Sequence, residues 1–114
     1  MTDQISIENA LAEINAAYGA PLILVNNAGI TEDNVFLRMN QNQWDNVIAT
    51  NLTSVYRLSK ICLRSMLKER WGRIINISSV VALTGNPGQE NYAAAKAGMI
   101  GFSKSLARDI TCLR

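Results

Sequence analysis

A tyrosine and a lysine four residues apart form the pair in this sequence best suited to chemistry. Tyr92 and Lys96 belong to the run Tyr-Ala-Ala-Ala-Lys, so on a helix they lie one turn apart on the same face. A phenol is a weak acid near neutral pH. An ammonium ~5 Å away stabilises the phenolate by roughly 3 kcal/mol at an effective dielectric of about 20. The pair is therefore predicted to donate a proton to a carbonyl oxygen that gains charge.

Two further side chains could complete such a site. Ser79 opens a loop upstream of the pair and could donate a hydrogen bond to the same carbonyl oxygen. Asn51 interrupts the apolar pattern of a long helix, and its amide could hold a water that resupplies protons through Lys96. Each residue alone has an ordinary structural explanation, because serine is frequent in turns and asparagine can cap or kink a helix. Their combination and order along the chain indicate a site.

Composition narrows the class of protein. The chain has 114 residues, 48% of them hydrophobic and 18% charged, which suits one small soluble globular domain. A net charge of +2 gives no reason to expect nucleic acid or a membrane as partner, and no apolar run approaches the ~20 residues that cross a bilayer. The absence of histidine removes the commonest metal ligand and general base. Cys62 and Cys112 form no Cys-x-x-Cys pair, so we expect inert thiols and a cytoplasmic setting.

Hydrophobic spacing predicts helices alternating with strands. Leu22 to Val25 is a short unbroken apolar run, which predicts a strand buried on both faces, as in parallel sheets. Asn40 and Gln43 form the capping box of a long helix. The predicted elements are a helix that begins near residue 3 or 6 and ends at 18, a strand at 22–25, a helix at 41–70, a strand at 73–77 and a helix at 89–110.

The order of these elements predicts an α/β fold. Two buried strands joined by a long crossover helix form a right-handed βαβ unit with a parallel sheet. The turn Asn26-Asn27-Ala28-Gly29 follows the first strand, and Ser79 follows the second. Ligands of open α/β sheets bind at this carboxyl edge, so the candidate residues are expected to converge there.

The sequence also resembles a known family. Leu24-Val25-Asn26-Asn27-Ala28-Gly29, Asn51, Ser79 and Tyr92-x-x-x-Lys96 are similar to the motifs of the short-chain dehydrogenase/reductase family. The resemblance covers nearly the whole chain and is closest to the bacterial 3-oxoacyl-acyl-carrier-protein reductases of fatty acid synthesis. It implies a doubly wound, Rossmann-like parallel sheet and NADPH-dependent reduction of a 3-oxoacyl group to the 3-hydroxyacyl group.

The resemblance implies a role for each catalytic candidate. Tyr92 would protonate the 3-oxo oxygen, and Lys96 would favour the ionised form of that tyrosine. Ser79 would position the substrate carbonyl, and Asn51 would anchor the water of a proton relay. Asn26 would steady the sheet.

The resemblance also implies a cofactor site for NADP(H). Asn27, Ala28 and Gly29 would line the adenosine side of the cofactor cleft, and Tyr92 and Lys96 would bind the nicotinamide ribose. The substrate would be linked to acyl carrier protein. The family assembles tetramers, so we expect a homo-oligomer formed through the helices at 41–70 and 89–110.

The sequence departs from the family pattern at both ends. The family opens with a strand and a Gly-x-x-x-Gly-x-Gly turn that receives the pyrophosphate. The glycines here stand at positions 19, 29, 72, 85, 88, 98 and 101, and none has that spacing. Residues 1–114 are therefore interpreted as a single incomplete NAD(P)-binding Rossmann-like domain, the central βαβα portion, which lacks the N-terminal glycine-rich unit and the C-terminal strands. Alone, it is expected to bind NADPH weakly or not at all and to lack useful activity.

Three questions stay open at this stage. The chain could be a non-catalytic, truncated subunit that associates with a full-length reductase. It could also belong to a reductase for acyl-CoA or another alcohol or ketone. The basic end of the long helix could dock an acidic carrier protein, although cations at a helix end also suit the helix dipole. Its residues are Arg64, Lys68, Arg70 and Arg73.

Overall fold

The computed structural model describes residues 3–112, and within them two strands alternate with helices as predicted. The elements are α1 (Gln4–Tyr18), β1 (Ile23–Asn26), a 3₁₀ turn (Phe36–Arg38), α2 (Gln41–Ile48), a π-helical turn (Ala49–Thr53), α3 (Ser54–Glu69), β2 (Arg73–Asn76), α4 (Val81–Thr84) and α5 (Glu90–Cys112). The 3₁₀ turn and α4 were not predicted, because segments of three and four residues carry no periodicity to read.

The two strands pair in parallel, which confirms the predicted βαβ arrangement. Ile23 lies opposite Arg73, and Asn26 lies opposite Asn76. The crossover runs through α2 and α3, and α3 contacts both strands while α5 contacts β2. These contacts place the two long helices on one face of the sheet.

The prediction that the strands are buried on both faces is wrong. Asn26 is buried, whereas Ile23, Val25 and Ile75, which point to the other face, are each about half exposed or more. That second face therefore keeps apolar side chains open to solvent. An unbroken apolar run shows that a strand suits burial, but it does not identify the element that would bury it.

The crossover is helical from Gln41 to Glu69 but is not the single α-helix that was predicted. A π-helical turn separates α2 from α3. Within this turn the side chain of Asn51 donates hydrogen bonds to the carbonyl oxygens of Val47 and Ile30, at 2.8 Å and 2.9 Å. A side chain that takes a helical carbonyl opens the regular ladder, which is a recognised cause of such bulges.

Local signals set the helix ends as predicted. The carboxylate of Asp3 accepts a hydrogen bond from the backbone N–H of Ile5 and caps α1. The capping box is complete, since Gln43 N donates to Asn40 Oδ1 at 2.9 Å and Asn40 N donates to Gln43 Oε1 at 3.0 Å. Gly19 follows α1 with φ 87°, a conformation that favours glycine.

The core lies between the crossover helices and α5. Its apolar members are Val47, Val55, Leu58, Cys62, Met66, Ala95 and Met99. On α1 only Ile7 is buried, and Tyr18 at the other end of the helix is 90% exposed. Burial raises the pKa of the Cys62 thiol, which agrees with the inert role predicted for it. The side chain of Cys112 lies outside the described part of the structure.

The membrane prediction can be checked on the helices. None of the helices within residues 3–112 is both long enough and apolar enough to cross a membrane.

The turn after α3 requires a glycine for space. A Cβ atom added to Gly72 would overlap the side chain of Met66, which is itself buried. We therefore expect Gly72→Ala to destabilise the chain by about 1–3 kcal/mol, because the buried methionine must shift. Urea unfolding followed by circular dichroism measures the change.

Gly101→Ala is the matched control. A Cβ at Gly101, within α5, meets nothing within 4 Å. This substitution should stabilise the chain by about 0.5–1 kcal/mol through helix propensity. Equal effects of the two substitutions would contradict the proposed overlap.

Candidate active site

The loops that leave the two strands begin side by side. The backbone N–H of Ile77 donates to the carbonyl of Asn26 at 3.1 Å, so the parallel ladder extends one residue beyond β2. Asn27, Ala28 and Gly29 follow β1, and Ser78 and Ser79 follow β2. The predicted convergence at the carboxyl edge of the sheet is thus present.

Three of the predicted residues, Gly29, Asn51 and Lys96, lie close together. Asn51 is fully buried and uses both amide protons on backbone carbonyls, while its Oδ1 has no hydrogen-bond partner within residues 3–112. A Cβ atom on Gly29 would lie 2.8 Å from Asn51 Oδ1 and 3.6 Å from Lys96 Nζ. A buried acceptor and a buried cation therefore converge where the backbone carries no side chain.

Lys96 is anchored at the end of β2. Its side chain is only 3% exposed, and Nζ donates to the carbonyl of Ile77 at 2.9 Å. Ser78 Oγ donates to the carbonyl of Lys96 at 3.0 Å, which adds a second link between α5 and the loop. Burial lowers the pKa of the Lys96 ammonium from its ordinary value of 10.5, because desolvation disfavours the charged form.

Tyr92 lies one turn before Lys96 on the same face of α5, as the spacing predicts. It is half-buried, and Lys96 Nζ lies 5.8 Å from the centroid of its ring. The cation is close enough to act on the phenol electrostatically.

A second pair with the same spacing shows that geometry alone does not make a site. Tyr56 and Lys60 also lie four residues apart on a helix, with Nζ 5.5 Å from the ring centroid and 3.3 Å from the hydroxyl. Both residues of this second pair are exposed, on α3. Burial of the lysine and convergence with Asn51 and Gly29 distinguish the pair on α5.

Ser79 is half-buried in the loop before α4. Its Oγ accepts a hydrogen bond from the backbone N–H of Val81 at 3.2 Å. This bond supports the ordinary interpretation of a turn residue, and it also orients the hydroxyl while leaving its own proton for donation.

The residues predicted to hold the cofactor line the exit of β1. Asn27, Ala28 and Gly29 are exposed there. Asn27 and Ala28 also line a cavity of about 20 Å³, which has room for one water at most. A groove of about 880 Å³ runs beside β2 between α3 and α5, and none of the predicted catalytic or cofactor-binding residues lines it.

The sequence interpretation missed Asn91. This residue is fully buried, and its amide donates to the carbonyls of Glu32 and Gln43 while its Oδ1 accepts from the backbone N–H of Tyr92. A signal was present, because position 91 shares a helical face with Ala95 and Met99, which are buried. A polar residue on a buried stripe indicates a specific hydrogen-bonding role.

A polar chain also links the sheet to α5. Asn26 Nδ2 donates to Asn76 Oδ1 at 2.8 Å, and Asn76 Nδ2 donates to Ser103 Oγ at 2.8 Å. This geometry agrees with the sheet-steadying role that the resemblance implies for Asn26. Residues 3–112 contain no cluster of three or more histidine, cysteine, aspartate or glutamate side chains able to hold a metal ion.

Comparison with known proteins decides the family. A family model described as short chain dehydrogenase matches residues 1–112. The chain belongs to the short-chain dehydrogenase family. This finding confirms the resemblance and the Rossmann-like fold class, and family membership implies a nicotinamide cofactor.

Individual relatives show which members of the family this chain is similar to. The chain is 61% identical over 110 residues to the 3-oxoacyl-[acyl-carrier-protein] reductase FabG of Haemophilus influenzae, and the match covers 96% of this chain and 46% of that protein. It is 60% identical to the enzyme of the same name from Escherichia coli, covering 96% and 45%, respectively. The Vibrio cholerae enzyme is 56% identical over the same shares. The chain therefore spans about half the length of the curated relatives it matches.

The buried lysine makes stability depend on alkaline pH. Because the folded chain lowers the pKa of Lys96, the unfolded chain keeps this proton up to a higher pH. The free energy of unfolding should therefore rise as pH increases from the folded pKa of Lys96 to 10.5. This added stability should be lost as pH falls again through the folded pKa. We expect Lys96→Met to abolish this part of the rise, measured by urea unfolding at several pH values.

The control is Lys104→Met, at an exposed position of the same helix. It should follow the pH dependence of the unsubstituted chain. If Lys96→Met also followed that curve, the desolvation of Lys96 would not affect stability.

Proposed function

We propose that this chain contributes the proton-donating part of an NADPH-dependent 3-oxoacyl-acyl-carrier-protein reductase. One observation carries the proposal: the buried Lys96 Nζ lies 5.8 Å from the ring centroid of Tyr92, and it shares with the amide oxygen of Asn51 the space beside Gly29, a residue without a side chain. The names of the relatives at 56–61% identity support this substrate class. We place the protein in the cytoplasm on the same ground.

In this proposal each side chain has one task in the reduction. The Tyr92 hydroxyl gives its proton to the 3-oxo oxygen as that oxygen gains charge. The Ser79 hydroxyl donates a hydrogen bond to the same oxygen and holds it in reach. Lys96 stabilises the tyrosinate left behind. A water held by Asn51 Oδ1 returns a proton to Tyr92 through Lys96.

The residues at the edge of the sheet suit a nicotinamide cofactor. Gly29 lets the backbone approach the buried amide oxygen of Asn51 and the buried ammonium of Lys96, and a Cβ in its place would lie 2.8 Å from that oxygen. Lys96 and Tyr92 would hold the nicotinamide ribose, and Asn27, Ala28 and Gly29 would line the adenosine side. NADPH, when bound, supplies the hydride that the carbonyl carbon accepts.

The same proposal includes assembly into a homo-oligomer. Exposed small residues on α5, at Ala94, Ala97 and Gly101, allow another helix to approach closely. This surface belongs to the helix at 89–110. That helix and the helix at 41–70 would each pack against their counterparts in another subunit. A non-catalytic subunit would associate through the same surface, so activity rather than assembly decides between the two possibilities.

Activity can be tested in a grafted reductase. In this enzyme, residues of the present chain replace the matching segment of the Haemophilus influenzae FabG. The graft should oxidise NADPH with a 3-oxoacyl-acyl-carrier-protein substrate, followed at the absorbance of the reduced cofactor. Tyr92→Phe removes the proton donor and should lower kcat by roughly 10²- to 10⁴-fold.

Tyr56→Phe is the matched control, since Tyr56 has the same spacing to a lysine but lies exposed on α3. It should leave kcat unchanged. An inactive graft that is folded, or a Tyr92→Phe variant as active as its parent, would refute the proposed function. Activity confined to acyl-CoA or simple ketones would refute only the carrier-linked substrate.

A substitution at the basic end of α3 tests whether an acidic carrier protein binds there. Arg70 is exposed in a left-handed conformation with φ 56°, and Arg73 stacks on Trp71 at 4.8 Å. We expect Arg70→Glu in the grafted reductase to raise KM several-fold for the carrier-linked substrate, because an acidic partner is repelled. The difference should shrink at high salt.

The control is a short 3-oxoacyl thioester without the carrier protein, for which Arg70→Glu should leave KM unchanged. An unchanged KM for the carrier-linked substrate would leave the cations with only their role at the helix end.

A further inference from the structure

We infer that Asn91 is a positioning residue that holds the proton donor Tyr92 by fastening the start of α5 to two other segments. This inference rests on the proposed function of Tyr92. It concerns a side chain that the sequence motif does not include and that touches no reacting atom.

The contacts of Asn91 join three parts of the chain through one amide. Its Nδ2 donates to the carbonyl of Glu32, in the loop after β1, at 3.1 Å. The same nitrogen donates to the carbonyl of Gln43, in the first turn of α2, at 3.0 Å. Its Oδ1 accepts from the backbone N–H of Tyr92 at 2.8 Å. Because Asn91 is fully buried, water cannot replace these partners.

Tyr92 needs such a fixture because of its place in α5. The helix begins at Glu90, so Tyr92 lies in the first turn, where backbone N–H groups have no partner inside the helix. Lys96 lies a turn further in and is held separately by the carbonyl of Ile77. The two members of the pair are therefore positioned by different contacts, and those at Tyr92 come from Asn91.

Two further hydrogen bonds cross the same seam, which is the contact between the loop after β1 and the start of α5. Asn34 N donates to the carbonyl of Gly88 at 3.0 Å, and Gln89 Nε2 donates to Asp33 Oδ1 at 3.2 Å. The hydrogen bond between Gln89 and Asp33 is exposed to solvent, so its net contribution is small. Asn91 supplies the buried hydrogen bonds of the seam.

The consequence for catalysis is a loss of rate rather than of cofactor binding. Proton transfer requires the hydroxyl within hydrogen-bonding reach of the carbonyl oxygen. A shift of about 1 Å in a reacting group can lower the rate on the order of 100-fold. Releasing the start of α5 should produce such a shift at Tyr92 while Lys96 and the loop at Gly29 stay in place.

Two substitutions in the grafted reductase test this role. Asn91→Asp keeps the acceptor for the N–H of Tyr92 but loses both donated hydrogen bonds and places a carboxylate against two carbonyl oxygens. Asn91→Ala loses all three. We expect both to lower kcat on the order of 10- to 100-fold, with KM for NADPH unchanged. The solvent deuterium isotope effect on kcat should rise, since proton transfer becomes slower.

Met66→Ala is the stability control, because Met66 is buried at the far end of α3. It should lower the midpoint of thermal unfolding at least as much as the Asn91 variants while leaving kcat and the isotope effect unchanged. A wild-type kcat in Asn91→Asp would overturn the inference, as would a parallel fall of kcat in Met66→Ala. An inactive parent graft would instead count against the proposed function.

Hydrogen exchange tests the same fastening without activity. In the 114-residue chain, Asn91→Asp should speed exchange at the amides of Asn34 and Ala93, which donate to Gly88 and Gln89 across the seam and the first turn. Amides at 99–106 should keep their protection. Unchanged exchange at Asn34 and Ala93 would overturn the inference whether or not the graft is active.

Discussion

The hydrogen bond from the Lys96 ammonium to the carbonyl of Ile77 is the contact on which the candidate site depends. This hydrogen bond is 2.9 Å long. It places a cation at the carboxyl end of β2 and holds α5 against the sheet. Desolvating an ammonium costs free energy, and the lowered pKa of Lys96 records this cost. The folded chain thus keeps the Lys96 ammonium in an unfavourable environment, at a position where a cation can act on a phenol. The second pair, Tyr56 and Lys60, is exposed to solvent. In the proposed function, stability and activity are opposed at this residue, as is common at sites of catalysis.

Asparagine side chains organise the rest of the carboxyl edge. An uncharged amide offers two donor protons and an acceptor, so its burial requires matched partners but no counter-charge. Asn51 donates to the carbonyls of Val47 and Ile30 within the π-helical turn, and its free oxygen lies beside Gly29, as does the ammonium of Lys96. Asn91 joins the loop after β1 to the first turns of α2 and α5. The loops at this edge contribute few buried apolar side chains, and these amides hold them in place.

The sequence predicts the features that depend on neighbouring residues. The capping box at Asn40 and the facing of Tyr92 and Lys96 follow from spacing within one or two turns, and the parallel pairing of the strands follows from the long helical crossover between them. The uniform helix at 41–70 was wrong because Asn51 bonds a carbonyl 21 residues away, which no local pattern contains. Helical spacing places Asn91 on a buried stripe, but the two carbonyls that its amide bonds lie 59 and 48 residues away, and only the fold identifies them. Spacing also cannot separate the buried pair on α5 from the exposed pair on α3.

The candidate site does not require the second face of the sheet to be covered. Ile23, Val25 and Ile75 are exposed on that face, yet the residues of the site meet on the other side. The contacts that position them run between α2, the π-helical turn, α4, α5 and the segments that follow the two strands. The helix contacts and buried amides can keep their geometry while the opposite face of the sheet is exposed, because none of the hydrogen bonds described here involves a side chain on that face. The positions of Asn51, Tyr92 and Lys96 therefore follow from this segment alone, whereas the cover of the sheet does not.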